Sequence, residues 1–267
     1  MVRRLPVVNT IAGAWWRRTQ ALAFWAAFNE LEAPRTTGAR ALSRCAVDIP
    51  SPDEIHEGET ATVEAGNDFS VTMMAWGSTS KWVHLGYQDV YARVLRHLRG
   101  RPIRLLEVGI GVNDPRAPSG MASTHLPGAS LTAWSMYFEG SEAHGADIDP
   151  RVLVDTDRYR THLVDQRSDE SLRQLANTIG RPIDLVVDDG LHTPEANART
   201  VTALLPSISR DGVLAVEDIH EEFGFLWREL STRLRGEYRL VYYPAAVLRQ
   251  NRAPGSEVGM AIVTRVV

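Results

Sequence analysis

From about residue 82 onward, short runs of β-branched and leucine-rich residues alternate with stretches whose apolar positions recur at helical spacing. The pattern predicts helices over 86–99, 129–138, 168–179, 194–205 and 221–234. It predicts strands over 103–108, 144–148, 161–164, 183–187, 212–216, 238–243 and 258–266. Pro194 falls in the first turn of its helix, where a missing N–H removes no hydrogen bond. Strand and helix in alternation mark a parallel sheet built from βαβ units. The last two strands have no helix between them and are expected as an antiparallel pair closing an otherwise parallel α/β sheet.

The first 75 residues read differently. Residues 8–31 predict one helix, and Trp15, Trp16, Phe24, Trp25 and Phe28 give it an apolar surface too wide to face water. That surface must pack on the main domain or on another subunit, and a homo-oligomer is expected. Asn9 and Thr10 interrupt the apolar run, Arg17 and Arg18 end it, and the run at 21–28 is far short of the ~20 residues of a bilayer span. Neither an export signal nor a membrane partner is therefore expected. Pro34, Pro50, Pro52, Gly58 and Gly66 punctuate residues 32–75, which predicts a connecting or lid segment without long regular elements. The expected division is an N-terminal helix and lid or oligomerisation segment over 1–75, and the main domain over 76–267.

Composition narrows the class. The 267 residues carry 29 basic and 33 acidic side chains, a formal charge of −4, which lacks the positive field used to bind nucleic acid. The single cysteine, Cys45, cannot form an internal disulfide, so a reducing, cytoplasmic setting is expected. Lys81 is the one lysine among the basic residues, a bias that points to a GC-rich bacterial coding sequence.

The first strand of the main domain runs into a glycine turn, Leu105-Leu106-Glu107-Val108-Gly109-Ile110-Gly111-Val112-Asn113. Gly109 and Gly111 permit positive φ and close approach of a ligand to the backbone. A dinucleotide fingerprint requires a third glycine three residues on; Asp114 stands there, followed by Pro115, so a pyrophosphate would meet a carboxylate. Glu107, two residues before the first glycine, suits a ligand with a cationic amino group and no phosphate, namely S-adenosylmethionine. Asp147, at the end of the second strand, is placed to accept hydrogen bonds from two ribose hydroxyls, while Asp149-Pro150 starts the next turn. Asp165 and Gln166 follow the third strand and either hold an adenine amino group or form a polar loop. Asp188, at the end of the fourth strand, is grouped with these cofactor residues.

Asp188 and Asp189 end the fourth strand, and Glu217 and Asp218 end the fifth. If the two strands are neighbours, their axes lie ~4.8 Å apart. Two unit charges at ~4 Å repel by ~4 kcal/mol at an effective dielectric of ~20. Either some of these carboxylates hold a proton, cap helices or face water, or a cation sits among them. An all-oxygen set on Asp189, Glu217 and Asp218 favours magnesium or another hard divalent cation. His192, three residues after Asp189, carries an imidazole, a group that when free titrates near working pH, and is a candidate base for a substrate hydroxyl; the alternative is a solvent-facing loop histidine.

With these residues in view, the chain from about residue 81 to 267 resembles the class I S-adenosylmethionine-dependent methyltransferases. Within them it is similar to the metal-dependent O-methyltransferases of the mycinamicin and tylosin type, which modify sugars of bacterial polyketide antibiotics. Three stretches carry the resemblance. They are Lys81-Trp82-x-His84-x-x-Tyr87; the segment from Gly111 through Pro127-Gly128-Ala129-Ser130-Leu131-x-x-Trp134-x-x-Tyr137-Phe138 to Gly145-Ala146-Asp147-Ile148-Asp149; and Asp188-Asp189-Gly190-x-His192 with Glu217-Asp218. Ser80 and Leu191 depart from the family's usual residues.

The resemblance implies a Rossmann-like class I methyltransferase sheet, Asp189, Glu217 and Asp218 as magnesium ligands, and His192 as base, where catechol-type enzymes have lysine. The expected activity is O-methylation of a hydroxyl, on a sugar of a small-molecule natural product. The alternatives are methylation of a phenol or carboxylate, and a non-methylating, metal-dependent hydroxylase-like relative. Trp76, Trp82, His84, Trp134 and Tyr137 either line the substrate pocket or belong to the core, and the loop over 244–257 is expected to shape its mouth.

Overall fold

The computed structural model describes residues 11–29, 47, 49, 51–52, 67–76, 86–114, 126–234, 236–248 and 257–266. Lys81, Trp82, His84 and residues 249–256 of the final loop lie outside the described residues. In chain order the elements begin with helices α1 (Ile11–Asn29), α2 (Asn67–Ala75) and α3 (Gln88–Val94). Strand β1 (Arg104–Val108), helix α4 (Ala129–Tyr137) and strands β2 (Glu142–Asp147) and β3 (Tyr159–Leu163) follow. Then come α5 (Asp169–Ile179), β4 (Ile183–Asp188), α6 (Pro194–Leu204) and β5 (Ile208–His220). The last elements are α7 (Gly224–Arg233), β6 (Tyr238–Tyr243) and β7 (Val258–Arg265).

The strands form one sheet in the order β3-β2-β1-β4-β5-β7-β6. β1 to β5 pair in parallel, and β7 runs antiparallel to both β5 and β6. Alternation along the strands feeds two cores. Leu106, Val108, Val186, Leu214 and Val216 face a layer with α1, α5, α6 and α7, whereas Leu105, Leu185, Val187, Val213 and Ala215 face α2, α3 and α4. α5 shows the matching helical stripe, Leu172, Leu175, Ala176 and Ile179, and Ser168 caps it by accepting from the Ser171 amide. Thr193 caps α6 in the same way, with Pro194 in the first turn.

α1 packs on this same domain. Phe24 and Phe28 are buried, Phe24 meets Trp227 of α7 edge-on at 5.3 Å, and Trp16 meets Phe223 at 5.4 Å. The helix therefore needs no second subunit to cover Phe24 and Phe28; Trp15 and Leu22, 68% and 63% exposed, lie on its outer side. No described helix is long and apolar enough to cross a membrane.

Three local outcomes differ from the pattern. α2 is a short helix inside the segment expected to lack long regular elements, held because Phe69 and Met73, one turn apart, are both buried and Phe69 packs on Tyr91, Trp134 and Tyr137. The helix predicted over 86–99 divides at Leu95 into α3 and a 3₁₀ turn, Arg96–Leu98. β5 runs beyond 212–216 at both ends, pairing through Ile219 and His220 with β7 across a register shift after Val216.

Candidate active site

β1 lies between β2 and β4, and the connections leave it in opposite directions, so the carboxyl ends of β1 and β4 open onto the crevice where such sheets bind ligands. The glycine turn is built into that crevice. Gly109 and Gly111 have φ of +87° and +83°. The Gly109 amide donates to the Ala146 carbonyl at 2.7 Å, and the Asp189 amide donates to that of Val108 at 2.8 Å. A Cβ on Gly109 would lie 2.2 Å from the Asp189 carbonyl oxygen, so glycine is required by space as well as by φ.

The predicted cofactor residues divide into two groups. Glu107 is fully buried and accepts from the Ser130 hydroxyl at 2.8 Å. Asp147 accepts from the amides of Ile110, at 3.1 Å, and Asp149, at 2.9 Å, which ties the end of β2 to the glycine turn. Gln166 and Asp188 instead form an interior network. The Gln166 amide donates to Asp188 at 2.7 Å and to Thr200 at 2.8 Å and accepts from the Leu191 N–H, while Asn197 donates to Asp188 at 3.0 Å. Burial pushes the Asp188 carboxyl up, and the hydrogen bond from Asn197 works against that shift. Asp165 does not join them; it pairs with Arg167, whose hydrogen bonds hold its carboxyl below the usual range.

The carboxylates at the ends of β4 and β5 meet His192. One ligand atom each of Asp189, His192 and Asp218 lies within 4.8 Å of the others, and among the described residues this is the one such group of three. Nε2 of His192 is 3.9 Å from both Asp189 Oδ1 and Asp218 Oδ2, while its Nδ1 is buried without a hydrogen-bond partner. His192 and Asp218 have φ of +55° and +52°, a backbone region that side-chain-bearing residues enter mainly where the surroundings hold them. Glu217 lies outside this trio. It follows the alternation of Val213 and Ala215, is buried, and accepts from the Tyr91 hydroxyl at 2.5 Å.

Sequence reasoning missed several members of the site. Tyr91 carries no signal in the sequence beyond its four-residue spacing from Tyr87, itself one residue of a longer motif. Burial, reinforced by Asp218 and Glu217 at Tyr87 and by Glu217 at Tyr91, drives the pKa of both phenols well up, so each remains a hydrogen-bond donor. His220, at the end of β5, has its pKa lowered by burial first and by nearby His192 next. Trp134 and Tyr137 are buried core residues beside Phe69 and Phe138, and Trp76 is partly exposed near the Arg158 guanidinium.

A family profile described as a methyltransferase domain matches residues 120–219, the span that holds Asp147, Asp188, Asp189, His192, Glu217 and Asp218. The chain carries a class I methyltransferase domain. This methyltransferase domain is related to the macrolide and polyketide sugar O-methyltransferases. The chain is 32% identical over 146 residues to the 8-demethyl-8-alpha-L-rhamnosyl tetracenomycin-C 2'-O-methyltransferase of Streptomyces olivaceus, a match covering 54% of this chain and 36% of that one. It is 32% identical over 142 residues to the demethylmacrocin O-methyltransferase of Streptomyces fradiae, covering 53% and 34%. It is 35% identical over 130 residues to the mycinamicin VI 2''-O-methyltransferase of Micromonospora griseorubida, covering 48% and 30%. The matches thus span about a third of these relatives' own length. In fold, the methyltransferase domain is similar to the MycE methyltransferase from the mycinamycin biosynthetic pathway, solved in complex with Mg and SAH. That likeness has a TM-score of 0.55 at 24% identity and covers 74% of this chain and 55% of the other.

Proposed function

We infer that this chain is an S-adenosylmethionine-dependent, divalent-cation-dependent O-methyltransferase acting on a sugar hydroxyl of a bacterial natural product. The observation that carries the reading is the convergence of Asp189, His192 and Asp218 beside the glycine turn, in a domain whose named relatives are sugar O-methyltransferases. The donors fit a hard cation: carboxylate oxygens at the ends of β4 and β5, with no lysine near them in sequence. The cofactor residues also fit. Glu107 and Asp147 supply acceptors for an amino group and ribose hydroxyls, and among the described residues 112–114 continue from Gly111 without helix.

Asp189 and Asp218 present oxygens toward His192 and are assigned to the cation. Glu217, whose Oε1 takes the Tyr91 hydroxyl and which lies outside the Asp189, His192 and Asp218 group, is assigned as the third ligand on the family resemblance. A divalent cation, when bound, lowers the pKa of a coordinated hydroxyl and orients it. S-adenosylmethionine supplies an electrophilic methyl group. His192 serves as base rather than ligand, its Nε2 facing the carboxylates at 3.9 Å. Glu107, the glycine turn and Asp147 hold the cofactor beside it, so that the chain's main contribution is to position two reactants.

Incubation with methyl-labelled S-adenosylmethionine, magnesium and glycosylated polyketides bearing a free sugar hydroxyl is expected to place label on the sugar oxygen. His192→Ala is expected to lower turnover by about two orders of magnitude or more. Label only on phenol or carboxylate acceptors would favour the other methyltransferase reading, and label on no acceptor would contradict both.

A further inference from the structure

Tyr87 and Tyr91 stand one helical turn apart at the start of α3, both fully buried, and their hydroxyls reach two consecutive carboxylates on β5. Tyr87 donates to Asp218 Oδ1 at 2.6 Å and accepts from the Asp218 amide at 3.0 Å, so one hydroxyl holds both the side chain and the backbone of the same residue. Tyr91 donates to Glu217 Oε1 at 2.5 Å. Consecutive residues of a strand normally point to opposite faces. Here the positive φ of Asp218 breaks the alternation, and both carboxylates come within reach of the same helix.

The consequence is a division of labour between oxygens. Asp218 Oδ1 is taken by Tyr87, and Oδ2 is left pointing toward His192 at 3.9 Å. We propose that Tyr87 and Tyr91 are positioning residues that each hold one oxygen of a carboxylate, thereby aiming the other oxygen at the divalent cation. This inference rests on the metal reading above. Groups that orient metal ligands through hydrogen bonds typically contribute 10–100-fold in affinity.

The test is calorimetric titration of the full chain with Mn²⁺, and separately with S-adenosylmethionine, for the unaltered protein, Tyr87→Phe, Tyr91→Phe and Val90→Ala. Phenylalanine keeps the buried ring and removes only the hydroxyl. Val90 is a buried neighbour on α3 whose side chain has no oxygen, so its truncation loosens the helix without removing a hydrogen bond to the carboxylates. Each tyrosine variant is expected to weaken Mn²⁺ about 10–100-fold with cofactor affinity unchanged, and Val90→Ala to leave Mn²⁺ affinity as it was. Should Tyr87→Phe fail to fold, Tyr91→Phe carries the same test. Tyrosine variants within about threefold of the unaltered protein overturn the proposal and leave the metal reading intact. Equal weakening in Val90→Ala also overturns it, because the effect is then general loosening. An unaltered protein that binds no Mn²⁺ overturns the metal reading itself.

Discussion

The amide of Asp189 donates to the carbonyl oxygen of Val108 at 2.8 Å. The glycine turn after β1 and the carboxylate loop after β4 are therefore joined backbone to backbone, with Gly109 pressed between them. Gly109→Ala places a methyl group 2.2 Å from the Asp189 carbonyl at a φ of +87°. It is expected to lower stability by about 3 kcal/mol through strain and overpacking, and to weaken S-adenosylmethionine binding. Urea denaturation with an unchanged midpoint would count against this account of the turn.

α1 contributes to the fold through Phe24, which is fully buried between Phe28 and Trp227. Phe24→Ala is expected to destabilise the protein by about 3–5 kcal/mol, the range for large aromatic truncations in a core. Cofactor affinity in the folded protein should stay the same, because none of the assigned cofactor residues lies on α1. A loss under 1 kcal/mol, roughly the value for an exposed site, would mean that α1 is not anchored on this domain in solution.

Asn197 donates to the buried Asp188 carboxylate at 3.0 Å. Asn197→Ala removes a hydrogen bond to a charged group and is expected to lower stability by about 2–3 kcal/mol. The Asp188 carboxyl would then titrate higher still, since Asn197 is the main influence opposing burial. Chemical denaturation measures the first effect, and the carboxyl resonance of Asp188 followed against pH measures the second.

Much of this arrangement was legible because strand ends are. Apolar runs closed by glycine, proline or aspartate marked β1, β4 and β6 to within a residue, and the polar residues at or just past the ends of β1, β2 and β4, namely Glu107, Asp147, Asp189 and His192, could be picked out from them. What the pattern could not carry was non-local. α2 is helical because Phe69 finds partners on α3 and α4, and the ends of β5 lengthen because β7 pairs with them. Tyr91 meets Glu217 across 126 positions of sequence, which no local spacing reveals. That Glu217 and Asp218, neighbours on one strand, both come within reach of α3 depends on one left-handed residue, Asp218, in a stretch that otherwise reads as plain strand.

His144 and His162 share a contact of 2.9 Å between ring nitrogens on β2 and β3, and burial lowers the pKa of each below 6.5. For His144, the hydrogen bond with Glu142 opposes that shift and nearby His162 adds to it. A histidine with a depressed folded-state pKa binds its proton more tightly when unfolded, so its contribution is fully present above 6.5 and is lost as pH falls through 6.5 toward the folded value. Stability should therefore decline between about pH 7 and 5, and decline less in His144→Asn. Parallel pH profiles for the two proteins would exclude His144 as a source.

The central claim is that the crevice holds S-adenosylmethionine and, on the carboxylates at the ends of β4 and β5, a divalent cation. Calorimetric titration of metal-stripped protein with each ligand, repeated with Asp189→Ala, tests it most directly. The account predicts that both bind to the unaltered protein, and that Asp189→Ala abolishes magnesium binding while S-adenosylmethionine still binds. Failure of S-adenosylmethionine to bind, or magnesium affinity unchanged by Asp189→Ala, would contradict it.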